Sequence, residues 1–434
     1  MRRTIGIDML RLFFESWSGL LLLAYRTFFP GAGSPRPSAR RMLVMAGFIP
    51  LFTLALGIHW VGLLLDEVLY RGYRRVAIRE PLFVLGVPRS GTTHLHRLIA
   101  EDTQLTTFST WECLFAPSVT ARRFWHGVGR LDRQVGRPLG RLLDWIERQA
   151  FKGLDAVHPM RLSDPEEDYF ALMPVLASFI LILPFPHSEL LWRVGAFDRD
   201  MPEGKQQRLM DFYYRCLQKH LYVAGPNKRL LSKNAAFAPL AGSLAVRFPD
   251  ARFLVCLREP QATLPSQLSS LEPGIAFFDV LSVSPDFRTR LTEQLGFYYK
   301  NLDQALAELP ESRCVWVTMR TLQSDLMHQM LDIYARFGLP ISAGFRAAIG
   351  RHAHEARAYQ SPHGYSLEQF GLSREGIDRD LGPVYTRLAS RALRTAGDPA
   401  SADPMARPCG DSKGSPSTRK PVRHDEPIHC GDQG

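Results

Sequence analysis

The chain is 434 residues long, with 45% apolar residues, 22% charged residues and a formal net charge of +10. That composition can bury a large core, which excludes a wholly disordered chain. Its six cysteines are too sparse for a disulfide scaffold and none falls in a C-x-x-C pair or a zinc spacing, so a reduced, cytosol-facing compartment is expected.

The charge is unevenly spread. All but eight of the 53 basic residues are Arg, and the first 80 residues hold eleven Arg against five acids. This basic block surrounds the most apolar stretch, which favours an anionic membrane surface as partner over nucleic acid. Residues 42–65 contain no Asp, Glu, Lys or Arg, and about 20 apolar residues suffice to span a bilayer core. Pro50, His59 and three glycines interrupt this stretch, with a break into two shorter helices at Pro50 as the alternative to one. An earlier apolar run, 17–30, is interrupted by Arg26 and too short to span alone. Residues 1–70 therefore read as an apolar, basic, membrane-associating helical segment. The competing reading is a helical hairpin packed on the body that follows. Arg36, Arg40 and Arg41 on one side and Arg71, Arg74 and Arg75 on the other leave the orientation open.

A folded domain is expected over residues 71–395, and within it residues 82–395 alternate between short, bounded apolar runs and longer amphipathic stretches. The runs at 82–87, 252–257 and 313–318 are expected to be buried parallel strands, and the stretches around 205–222, 237–248, 287–309 and 321–337 helices. The fold class is α/β, a P-loop-like, mostly parallel sheet flanked by helices, with the apolar helical segment at its N-terminus. From residue 396 onward Pro, Ser, Gly, Asp and Lys dominate, which predicts a disordered tail over 396–434.

The strongest local signal is the segment 81–102, where an apolar strand runs into Gly86, the loop Val87-Pro88-Arg89-Ser90-Gly91, and a helix opened by Thr92 and Thr93. Glycine permits the tight turn, and the amides at the helix start face an anion with the helix dipole behind them. The spacing of Gly86, Gly91 and Thr93 is that of a G-x-x-x-x-G-K-[ST] loop, but Thr92 stands where the Lys belongs. Without that Lys a nucleoside triphosphate is disfavoured, and Arg89 offers a cation at another angle.

Val87-Pro88-Arg89-Ser90-Gly91-Thr92-Thr93 resembles the 5′-phosphosulfate loop of sulfotransferases, which use 3′-phosphoadenosine 5′-phosphosulfate (PAPS) as donor. Residues 248–268 resemble that family's 3′-phosphate motif through Arg258, Pro260 and Ser266. An Arg binds such a dianion with two parallel hydrogen bonds, and a Ser hydroxyl adds a donor. Segments 158–172, 230–237, 322–340 and 363–373 are similar to the bacterial, membrane-associated branch, so the resemblance covers roughly residues 70–392. It implies a donor site built from Arg89, Ser90, Gly91, Thr92, Thr93, Arg258 and Ser266.

Sulfuryl transfer needs a base for the acceptor proton and cations where charge builds up; no metal is required, and the sequence holds no metal-ligand cluster. By resemblance to tyrosylprotein sulfotransferases, Glu112 is the expected base and Lys233 in LLSKNAAF the cation on the leaving oxygen, with Arg89 its partner. Glu166, Glu167 and Asp168 are rival acids that read equally as charge complementing a helix start; His94 and His96 are further candidate bases, expected to face packing or solvent. Where relatives carry a Tyr that contacts the nucleotide, this chain has Met319-Arg320-Thr321-Leu322, with Arg320 a substitute; Ser361 and Tyr365 are candidates to close over the donor. The expectation is a membrane-associated PAPS-dependent sulfotransferase facing the cytoplasm. Its acceptor would carry a hydroxyl or amine, with a lipid or glycan suggested, and nucleic acid is not a partner. The alternatives are a P-loop kinase-like phosphotransferase and a non-catalytic membrane-bound scaffold.

Overall fold

Among the described residues five short strands run parallel in the order β2-β3-β1-β4-β5. They are β1 (Leu82–Gly86), β2 (Leu105–Thr106), β3 (Arg229–Lys233), β4 (Arg252–Leu257) and β5 (Cys314–Thr318). The structure, a computed structural model, describes residues 2–31, 35–151, 161–358 and 366–396. Of the tail expected over 396–434, Ala396 still ends a helix; residues 397–434, with Ser361 and Tyr365, lie outside the described residues.

The strands are apolar on both faces because helices cover both. Phe83, Leu85, Phe253 and Val255 face one cluster, while Leu82, Val84, Leu254 and Cys256 face the other, the alternation that a two-residue side-chain period imposes. The first cluster is covered by helices α9 (Glu203–Ala224), α10 (Ala241–Arg247), α12 (Phe287–Leu306) and α16 (Arg374–Ala396) among others. The second lies under α3 (Thr92–Ile99), α14 (Leu326–Arg336) and α15 (Ala343–Ala358). β1 is central, with β3 and β4 on either side in register from Leu82. The C-terminal ends of these three strands therefore converge on one edge, where ligands bind in open parallel sheets. The strands expected at 82–87, 252–257 and 313–318 occur within one residue of those bounds.

Before the sheet come α1 (Arg2–Phe28) and α2 (Ala39–Leu69). Pro50 does not divide α2, which is continuous through it; Pro50 and the neighbouring Ala46 and Gly47 are exposed, so solvent can meet the carbonyl its missing N–H leaves open. The hairpin is not set apart from the body, because residues 1–397 form one compact unit. Ser38 caps α2 by accepting from the Arg41 amide at 3.1 Å. Between β2 and β3 lie α4 (Thr110–Phe115), α5 (Val119–Gln134), α6 (Pro138–Phe151), α7 (Glu189–Val194), α8 (Phe197–Asp200) and two 3-10 turns, Asp168–Val175 and Phe179–Ile182. Helix α11 (Pro260–Phe277) follows β4, and α13 (Met319–Ser324) follows β5 directly.

Candidate active site

Gly86 ends β1 with φ +151°, and a Cβ there would meet the Cys256 carbonyl oxygen at 2.3 Å. Only glycine lets the chain leave the sheet this close to β4. Arg89 then takes a left-handed conformation (φ 66°) and Gly91 another (φ 91°), which turns the loop back so that α3 starts at Thr92. Ser90 is fully buried and donates to the Val87 carbonyl at 2.6 Å, fixing the turn.

A second segment locks onto this loop. Arg258, just beyond β4, donates from Nη1 to the Arg89 carbonyl at 3.0 Å, and Arg89 Nε donates to Ser266 Oγ at 3.3 Å from the first turns of α11. Tyr299 of α12 holds the Arg258 carbonyl at 2.8 Å. The residues expected to read the two phosphate groups of the donor are therefore in mutual contact. A non-glycine residue in the left-handed region is uncommon, and the Arg258 bond accepted by its carbonyl helps hold Arg89 there.

On the other side of β1, Lys233 closes β3. Its side chain is 5% exposed; Nζ donates to Thr93 Oγ1 at 3.0 Å and is ion-paired with Glu167. Residues on either side of Lys233 face the opposite side of the strand, where Ser232 and Asn234 meet Asp168. Asp168 accepts from Tyr213 Oη at 2.7 Å, Ser232 Oγ at 2.9 Å and Asn234 Nδ2. Asn234 Oδ1 in turn accepts from the Tyr169 amide at 3.0 Å. Burial raises the Asp168 carboxyl to about 6, against the opposing pull of those three donors. This buried network fixes the chain at Asp168 and so the carboxylate one residue earlier.

A cavity of about 730 Å³ joins these groups. It is lined by the polar groups Arg89, Thr93, Lys233, Glu167, Arg258 and Ser266 and by apolar side chains such as Phe170, Phe179, Leu183, Leu271 and Leu295. His94 and His96 border it too; His96 is buried at 1% exposure and the His94 ring packs edge-on against His352, in keeping with the expectation that they face packing. Burial lowers the basicity of both, and His96 meets Thr107 Oγ1 at 2.7 Å. Met319, Leu322 and Gln323 border the loop from α13, but Arg320 is 86% exposed and pairs with Glu259 at 3.7 Å.

Glu112 does not line the cavity. It is the third residue of α4 and closes a capping box, accepting from the Ser109 amide at 2.9 Å. Its other oxygen pairs with the fully buried Arg122 at 3.2 Å. Burial pushes this carboxyl up, but Arg122, His220 and the Ser109 hydrogen bonds outweigh it and leave the pKa below the usual value. No local sequence signal separates the acids: the Ser-Lys-Asn end of β3 supplies polar partners for Glu167 and Asp168 and none for Glu112, and that pairing is long-range. Glu166 also lines the cavity, where burial raises its carboxyl. Among the described residues no group of three or more His, Cys, Asp or Glu side chains could hold a metal ion.

Three comparisons bear on this arrangement. A model of the sulfotransferase family matches residues 81–343. The crystal structure of sulfotransferase STF9 from Mycobacterium avium matches with a TM-score of 0.68 at 18% identity, covering 86% of this chain and 91% of that one. Sulfotransferase STF1 from Mycobacterium tuberculosis H37Rv matches with a TM-score of 0.64 at 20% identity, covering 85% and 92%. At these identities the two crystal structures share the fold. The comparison with curated proteins finds no match.

Proposed function

This chain belongs to the sulfotransferase family, and from that membership we propose that it moves a sulfuryl group from PAPS to an acceptor hydroxyl. The observation that carries the reading is the convergence of Arg89, Arg258 and Ser266 with the glycine-turned loop in a cavity that also holds Lys233 and Glu167. The loop amides with Arg89 would hold the 5′-phosphosulfate, and Arg258 with Ser266 the 3′-phosphate.

In this reading the acceptor oxygen forms a bond to sulfur as the bond from sulfur to the phosphate oxygen breaks. The acceptor proton passes to the Glu167 carboxylate, and Lys233 with Arg89 balances the charge gathering on the leaving phosphate. Glu167 takes the role first expected of Glu112, because it faces the cavity while Glu112 is committed to Ser109 and Arg122. No step calls on a metal, since these cations meet the developing charge. We further propose membrane association with the catalytic body facing the cytoplasm. This is supported by the length and apolarity of α2 and by four buried, unbridged cysteines, Cys113, Cys216, Cys256 and Cys314.

The test is a thermal-shift titration with 3′-phosphoadenosine 5′-phosphate, the stable product of the donor, against ATP. Stabilisation by the 3′-phosphorylated ligand without Mg²⁺ is expected. An equal or larger shift with Mg·ATP would turn the reading towards a kinase-like phosphotransferase.

A further inference from the structure

Each N-terminal helix has two apolar faces, and only one of them is covered. On α2 the covered face carries Met45, Ile49, Leu56, Trp60 and Leu63. It is pinned near both ends by buried polar groups. Arg41 donates to the Pro184 carbonyl at 2.8 Å and to the Phe278 carbonyl. Asp66 pairs with Lys219 at 3.0 Å and accepts from the Val119 and Thr120 amides at 2.9 and 2.8 Å. The opposite face carries Leu43, Leu51, Leu54, Ile58, Val61 and Val68, each 58% to 77% exposed. On α1, Leu10, Phe14, Leu21 and Tyr25 form a similar outward row, and Phe29 just after it is exposed as well. A helix face that meets water is normally polar, and an apolar surface this long is one that something covers.

Charge says what covers it. Arg26, Arg36, Arg40 and Arg71 are exposed at the ends of the two helices. Helix α5 starts against the Asp66 end of α2, and with α6 it exposes Arg123, Arg130, Arg133, Arg137 and Arg141. Interleaved with them are exposed Trp125, Leu131, Leu139 and Trp145. Arg beside Trp and Leu is the composition of surfaces that settle in the headgroup region of anionic bilayers. A second copy would instead set Arg against Arg.

The same contacts argue against a crossing. Arg41 and Asp66 lie about 38 Å apart along the helix axis, more than the roughly 30 Å hydrocarbon core. Between them α2 stays on the catalytic body: Phe48 packs on Phe185 and Phe278, and Trp60 Nε1 donates to the Pro174 carbonyl at 2.9 Å. An upright α2 would draw those segments and the charge of Lys219 into hydrocarbon. We infer that the chain is monotopic, with α1 and α2 lying in the plane of an anionic bilayer and their outer faces sunk into one leaflet. This rests on the membrane association proposed above and adds its geometry.

The experiment labels membranes from cells that express the full chain, with Cys409 and Cys430 replaced by Ser. Single variants Arg36→Cys and Arg71→Cys mark the two ends of α2. Both should react with a membrane-impermeant maleimide in inverted vesicles and neither in intact spheroplasts; labelling from opposite sides would overturn the in-plane geometry while leaving membrane association standing. A wild-type chain found in the soluble fraction would instead overturn the association itself. In parallel, the triple variant Leu51→Glu, Leu54→Glu, Ile58→Glu should lower flotation with phosphatidylcholine vesicles containing phosphatidylglycerol by at least about tenfold. Its thermal shift with 3′-phosphoadenosine 5′-phosphate should be unchanged, which separates lost membrane contact from lost folding. Undiminished flotation of a folded triple variant would overturn the proposal.

Discussion

Arg258 Nη1 donates to the carbonyl oxygen of Arg89 at 3.0 Å across 169 residues of sequence. The cation expected at the 3′-phosphate thus also braces the left-handed residue of the 5′-phosphate loop. Arg258→Ala should therefore weaken binding of 3′-phosphoadenosine 5′-phosphate by more than one lost ion pair, on the order of 100-fold. Arg258→Lys should recover only part, because a single ammonium cannot bond the carbonyl and grip the phosphate with the geometry of a guanidinium. Calorimetric titration of the three proteins checks this, and equal affinity for Lys and Arg would refute the bracing role.

Glu167→Gln should reduce kcat by about 10²- to 10⁴-fold, the range for loss of a positioned base. Lys233→Ala should cost on the order of 10²- to 10³-fold. The product-induced thermal shift should survive in Glu167→Gln, so that lost turnover is not lost donor binding. Once an acceptor is in hand, single-turnover rates give the comparison.

Glu112→Gln should behave otherwise. It removes the charge partner of Arg122, whose side chain is fully buried, and should lower stability by about 3 kcal/mol. Activity per folded molecule should change little. A collapse of kcat with an intact melting temperature would return the base to Glu112.

Burial raises the Asp168 carboxyl to about 6 in the folded chain, above the ordinary aspartate value of 3.8. The folded state therefore holds this proton more tightly than the unfolded one. The stabilisation this gives is fully present below pH 3.8 and is lost as pH rises through about 6. Its size is on the order of 3 kcal/mol. Asp168→Asn should flatten that part of the profile, so melting temperatures of wild type and variant should diverge between about pH 4 and 6. Parallel curves would mean Asp168 does not titrate there.

Gly86→Ala should not yield a stable protein, since the new methyl would sit 2.3 Å from the Cys256 carbonyl oxygen in the neighbouring strand. Neither main chain can yield without breaking the β1–β4 ladder, and a loss above about 3 kcal/mol is expected. Soluble expression and thermal denaturation would show it.

What the sequence made legible follows from how local each signal is. The strand, the glycine loop and the helix after it are contiguous, so Gly86 to Thr93 and the parallel sheet could be read directly. Arg258 and Ser266 share one strand-to-helix turn and were equally readable. The choice among acids was not. Glu112 and Glu167 each precede or open a helical turn, and what separates them is contact with Arg122 in α5 or with Lys233 in β3. Those partners come from other parts of the chain. The Asp168 network was hidden for the same reason, because Tyr213, Ser232 and Asn234 reach it from two further elements.

The pairing of Asp66 with Lys219 limits how this protein can be made soluble. A chain shortened to begin near residue 71 would leave Lys219, only 1% exposed, without Asp66 or Glu67. An orphaned buried cation costs about 3–5 kcal/mol, and the strip beneath Trp60 and Leu63 would be laid open as well. Solubilisation by truncation should therefore produce aggregates, whereas polar substitutions confined to the outward side chains of α1 and α2 would keep the hairpin as part of the core it completes.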